Sequence, residues 1–131
     1  MLPVQLSPNY QLYRVISAAD SGPFTNKGDG INLAEHRLAN IQVVPIDDTV
    51  IEGAGIGASD PDVEVYFWND TLGQYIQANP DISRAGIGAG VPYEFDVEVK
   101  GRYMFVALSS APAGGEAVAI FVAGYDTAHT M

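Results

Sequence analysis

Seven residues, Tyr93-Glu94-Phe95-Asp96-Val97-Glu98-Val99, alternate apolar and acidic side chains without a break. A period of two is the pattern of a strand with one face buried and the other in water. The same period runs through Val63-Glu64-Val65-Tyr66-Phe67-Trp68, with Val63, Val65 and Phe67 on one face. Asn69 to Gly73 then supplies a hairpin turn into Gln74-Tyr75-Ile76-Gln77. Lys100-Gly101 is a two-residue turn candidate after the clearest strand. Arg102 to Leu108 and Ala117 to Ala123 are apolar on both faces. Such strands need a second layer over them, or they meet another subunit.

Earlier in the chain, Ile41-Gln42-Val43-Val44 reads as a strand and Tyr10 to Ile16 as a candidate one. In residues 31–38, Asn32 stands three positions before Glu35, the spacing of a helix-capping box, so a short helix or a turn is expected there. Six or seven short strands separated by turns imply an all-β chain, an antiparallel β-sandwich or jelly roll. Val63, Val65, Phe67, Phe95, Val97, Val106 and Val122 are its expected core. Pro3, Pro8, Gly22, Pro23, Gly28 and Gly30 punctuate the start. Residues 1–40 are therefore expected to be an extended N-terminal arm, 41–124 the β domain and 125–131 a C-terminal tail. The competing expectation is that Tyr10 to Ile16 is the domain's own first strand.

The arm is rich in apolar groups for a loop-like segment. Leu2, Val4, Leu6, Tyr10, Leu12, Tyr13 and Phe24 are its candidate protein-contact residues, joined by Tyr103 and Phe105 of the doubly apolar run. Residues 1–45 hold three acids (Asp20, Asp29, Glu35) and three bases (Arg14, Lys27, Arg37). The net charge of -10 therefore lies wholly in residues 46–131. That balance argues against binding nucleic acid through phosphates, which needs clustered Lys and Arg. With 131 residues, 47% apolar, the chain can bury the core of one domain. It has no cysteine, hence no disulfide, thiolate metal site or cysteine nucleophile. The start MLPVQLSPNY lacks a basic segment followed by a long apolar one, and no run approaches 18 apolar residues. A soluble chain without a Sec signal or membrane helix is expected.

The motifs that carry chemistry are poorly matched. Ala54-Gly55-Ile56-Gly57-Ala58 recurs 31 residues later as Ala85-Gly86-Ile87-Gly88-Ala89, and each copy is followed by a proline, Pro61 or Pro92. Neither copy has the glycine spacing or the following helix of a phosphate loop; two similar connections at corresponding corners of two sheets, or coincidence in a Gly/Ala-rich chain, are the readings left. Asp60, Asp62 and Glu64 could share a strand face and hold Ca²⁺. They read more simply as a solvated acidic face, as do Glu94, Asp96 and Glu98. Two histidines, His36 and His129, and the pair Ser109-Ser110 form no catalytic constellation. No enzyme activity, cofactor or metal is expected. Tyr66, Trp68, Tyr75, Tyr93 and Tyr103 could form a sugar-binding platform, although cores and interfaces are the commoner use of such residues.

The stretches VEVYFWNDTLGQYI, AGIGAGVPYEFDVEVKGRYMFVAL and AVAIFVAGYD, following a Pro/Gly-rich start, resemble small virion structural proteins of tailed bacteriophages, especially head decoration (cement) proteins. The resemblance is one of style and covers about half of the chain. It implies a non-enzymatic capsid decoration protein, synthesised in the host cytoplasm and carried on the virion surface. It further implies a homo-oligomer, often a trimer, docked on the major capsid protein lattice, often through the arm. A carbohydrate- or receptor-binding β-sandwich module of a phage fibre is the alternative.

Overall fold

The computed structural model describes residues 4–33, 35–47, 50–51, 63–78, 92–108 and 116–125. Its strands are β1 (Val4–Gln5), β2 (Gln11–Ile16), β3 (Ile31–Asn32), β4 (Leu38–Asp47), β5 (Val50–Ile51), β6 (Val63–Asn69), β7 (Gln74–Gln77), β8 (Tyr93–Glu98), β9 (Tyr103–Leu108) and β10 (Glu116–Tyr125). A single 3-10 turn, Lys27–Asp29, is the helical content among the described residues. The chain is all-β. One sheet runs β1-β3-β9-β6-β7; the other runs β2-β10-β4, with β5 and β8 both on the far edge of β4. Among the described residues every pairing is antiparallel except β1 with β3.

Alternation decides which side chains meet. In β6, Val63, Val65 and Phe67 are buried, and the register sets them beside Leu108, Val106 and Met104 of β9. In the other sheet Ile41 and Val43 of β4 lie beside Val122 and Ile120 of β10. Both sets belong to one apolar core. Phe95 and Val97 pack against its margin, half-buried, while Val106 and Val122 lie fully inside it. Each fully buried branched side chain there stabilises the fold by about 1.5–3 kcal/mol. The turn after β6 works through two residues: Asn69 Oδ1 accepts the Leu72 N–H at 2.9 Å, and Gly73 takes the left-handed conformation at φ 67.

Four expectations are corrected. The described part of residues 1–40 is not a detached arm. β2 pairs with β10 from Gln11 to Ile16, and Leu6, Ile16, Ile31 and Leu33 are each 2% exposed or less within the core. Tyr10 to Ile16 thus acts as the domain's own strand, because β10 is apolar and needs a neighbour on that edge. Ahead of β4 the turn is present and, among the described residues, the helix is not: the His36 N–H donates to the Leu33 carbonyl at 3.1 Å. Asn32 lies in β3 and pairs with Tyr103, and it is Asn26 that caps, on the 3-10 turn, by accepting the Gly28 N–H. Lys100-Gly101 does not close a hairpin. β8 pairs with β4, and β9 pairs with β3 and β6, so the chain crosses there from one sheet to the other. Finally, β10 reaches Tyr125, which pairs with Leu38, so the last strand extends past the expected end. The two Ala-Gly-Ile-Gly-Ala segments and residues 126–131 lie outside the described residues.

The outer face of β9 is covered within the chain. Met104, Val106 and Leu108 face the core; Phe105 and Ala107 face the other way, into a second cluster with Tyr75. The segment between β2 and β3 lies over that cluster and brings in Phe24, whose ring centre stands 4.6 Å from Phe105 and 4.9 Å from Tyr66. Lys27 Nζ sits 5.2 Å from the Tyr103 ring centre and 5.6 Å from that of Trp68.

Candidate protein-binding face

The outward face of β2, β10 and β4 is built by register. Opposite Val44 and Ile46 of β4 stand Ala119 and Ala117 of β10, and these four cluster with Phe121 on the side away from the main core. β2 extends the same surface through a bulge. Arg14 pairs with Ile120 and Leu12 with Phe121, so Tyr13 is an extra residue on that strand. The bulge turns Leu12 to the face that carries Val15. Strict alternation would put Leu12 on the side of Arg14 and Ile16. Val15 and Leu12 are 50% and 49% exposed, Val44 and Phe121 half-buried. Ile46, Ala117 and Ala119 are buried, so the apolar area open to solvent on this face centres on Leu12 and Val15, with Val44 and Phe121 partly open.

A polar strip borders it. Asn40 of β4 is buried, accepts a hydrogen bond from the Tyr10 hydroxyl, and donates through Nδ2 to Glu94 and to Asp96, the latter at 2.8 Å. Glu94, Asp96 and Glu98 of β8 all point outward and are exposed. Burial raises the Tyr10 hydroxyl above its ordinary pKa, and the charges of Glu94 and Asp96 add to that. The phenol therefore stays a donor. Lys100 Nζ, 3.9 Å from Glu98, is a weak cationic neighbour at the end of the row.

The nine candidate contact residues are divided by the fold. Tyr10 and Leu12 lie on this open face. Leu6 and Phe105 do not offer contact surface: at 2% and 5% exposed they are interior. Phe24 and Tyr103 are half-buried in the aromatic cluster around Phe105. Tyr13 is half-buried and packs against both clusters, its hydroxyl donating to the Asp29 carbonyl at 2.6 Å. Val4 pairs with Ile31, and Leu2 lies outside the described residues. Sequence reasoning missed Val15, Val44 and Phe121. The outward apolar half of β10 was the available signal for Phe121; the β2 bulge left none for pairing Leu12 with Val15.

The five aromatics considered as a sugar platform do not form one. Tyr66, Trp68, Tyr75 and Tyr103 share the cluster under Phe24 and Lys27, where Tyr75 is buried. Tyr93 belongs to the main core. Asp60 and Asp62 lie outside the described residues, and Glu64 accepts a hydrogen bond from the Tyr66 hydroxyl at 2.8 Å. Among the described residues no three His, Asp or Glu side chains gather as metal ligands, and no helix is long and apolar enough to cross a membrane. The chain matches no protein-family model, no curated protein and no solved structure.

Proposed function

We propose that the chain is a non-enzymatic virion structural protein that decorates a phage capsid by docking on its major capsid protein. The observation that carries this reading is the open apolar face of Leu12, Val15, Val44 and Phe121 beside an acidic strip. Apolar area flanked by polar groups is the general anatomy of a protein interface. The strip favours a partner surface that sets Lys or Arg opposite Glu94, Asp96 and Glu98.

The fold is a jelly roll in this reading. Leaving aside β1 and β5 and keeping the equally short β3, the sheet orders are β2-β10-β4-β8 and β3-β9-β6-β7. Two four-stranded sheets of that kind are the jelly-roll plan, which serves both capsid and lectin domains. The docked form is a homo-oligomer, a trimer in the reading drawn from the resemblance. Docking is assigned to the sheet face, since the described part of the N-terminal segment is committed to the two sheets.

Cosedimentation with heads assembled from the major capsid protein of the same genome tests the proposal. Saturable binding is expected, lost in the double variant Leu12→Glu/Val15→Glu. Both positions are half exposed, so the variant should keep its stability to within about 0.5 kcal/mol. No binding by the unaltered chain would overturn the reading.

A further inference from the structure

A hollow of about 550 Å³ lies where β2 meets the segment between β2 and β3. Its volume is in the range of small-molecule sites, roughly 300–1,000 Å³. It is on a different surface from the apolar docking face. Its lining combines the aromatic side chains of Tyr13, Phe24 and Phe105, the last beneath the Arg14 guanidinium, with the polar groups of Arg14, Ser21 and Asp29. From these groups we infer that the hollow is a binding site for a neutral saccharide.

Hydrogen-bond capacity points to that class. Arg14 spends three N–H groups inside the protein: two on Asp20, at 2.9 and 3.3 Å, and one on the Val106 carbonyl at 2.9 Å. A guanidinium has five. Its Nε–H and second Nη2–H meet no acceptor among the described residues. Asp29 accepts from Asn26 at Oδ1 alone, leaving Oδ2 as an acceptor. The site thus offers both unspent donors and an unspent acceptor.

Charge narrows the choice. Arg14 stands against Asp20 and Asp29 in a chain of net charge -10, which opposes an anion. A cation would meet the Arg14 donors, which it cannot satisfy. A sugar hydroxyl both donates and accepts, and the C–H face of a sugar ring packs on aromatic rings.

The wall is also held in place before any ligand arrives. Tyr13 and Tyr75 donate to the carbonyls of Asp29 and Lys27, at 2.6 and 2.8 Å. Asn26 ties the turn from within, to Gly28 N–H and Asp29 Oδ1. A fixed wall lowers the ordering cost of binding.

The test is an NMR titration of the full chain with glucose, galactose, mannose and N-acetylglucosamine in turn, with sialic acid and glucosamine as charged counter-probes. At least one neutral sugar is expected to shift the Ser21, Gly28 and Gly30 amides saturably. Asp29→Asn should weaken that binding about tenfold, the equivalent of one hydrogen bond to a charged group. Phe24→Ala should weaken it too, and Leu12→Glu/Val15→Glu should leave it unchanged. Asp29 is exposed, so its variant is expected to fold, and the map on the unaltered chain does not depend on any variant. The inference is overturned if no neutral sugar gives saturable shifts, if the shifts map elsewhere, or if only a charged probe binds. None of these outcomes bears on capsid docking.

Discussion

Arg14 and Asp20 close the open edge of β9 together. β3 pairs with Tyr103 and Met104 alone, so the rest of that edge turns to other partners. Arg14 donates to the Val106 carbonyl at 2.9 Å, Asp20 Oδ2 accepts the Leu108 N–H at 2.9 Å, and the Asp20 N–H donates to the Leu108 carbonyl at 3.1 Å. The ion pair between them, 2.9 Å long, holds both in register. A strand edge left without partners in a folded interior is costly, and this pair removes the cost.

Asp20→Ala should therefore destabilise the chain by about 2–3 kcal/mol, since it strands the Leu108 N–H and the guanidinium at once. Asp20→Asn keeps an acceptor and should lose less. Urea unfolding of the two variants measures this. An alanine variant within about 0.5 kcal/mol of the unaltered chain would show that the edge is satisfied by other means.

Gly30 is required by close approach. A Cβ there would stand 2.0 Å from the Tyr75 hydroxyl oxygen and 2.8 Å from the Met104 carbonyl oxygen. Gly30→Ala should cost about 1–3 kcal/mol as overpacking. Tyr75→Phe removes the nearer atom, so the double variant should be less damaged than the sum of the singles. A double-mutant cycle that adds up would contradict this account.

Removing residues 1–40 should abolish folding. The truncation deletes Leu6, Ile16, Ile31 and Leu33 from the core and takes the start of β4 with them. Four such side chains, at about 1.5–3 kcal/mol each, amount to most of an ordinary domain's stability of about 5–15 kcal/mol. Near-ultraviolet circular dichroism of a chain starting at Ile41 is the measurement. A cooperative transition close to that of the full chain would return the segment to the status of an arm.

Alkaline pH should unfold the chain through its tyrosines. Burial raises the hydroxyls of Tyr13 and Tyr75 above their ordinary pKa of 10.0, and the Asp29 charge pushes Tyr75 further up. A folded-state pKa above the unfolded one gives stability that is whole below pH 10.0 and falls as pH rises toward the folded value. Ultraviolet titration of the seven tyrosines should show a late-ionising subset that titrates together with loss of structure. A single reversible step near the ordinary pKa, with the fold intact, would count against it.

Strand identity was legible because it is local. The alternation in Val63–Asn69 and Tyr93–Glu98 marks which side chains can share a face, whatever the partner strand turns out to be. The Asn69 to Gly73 turn was legible for the same reason: one side-chain oxygen and one glycine make it. Partnership was not local. Lys100-Gly101 has turn chemistry, yet the strands on either side of it belong to different sheets, and no short-range pattern separates a hairpin from a crossing between sheets. The apolar outer half of Tyr103–Leu108 required a cover; only tertiary structure supplied Phe24 and Arg14 as that cover, in place of another subunit. The exposed apolar face depends on one extra residue in β2. Because side chains alternate with a period of two, that bulge moves Leu12 from the inward face to the outward one beside Val15. Composition determined that the chain would be acidic and cysteine-free, and local alternation that it would be rich in strands. Register, which is settled by long-range pairing, decided which of its apolar residues became core and which became surface.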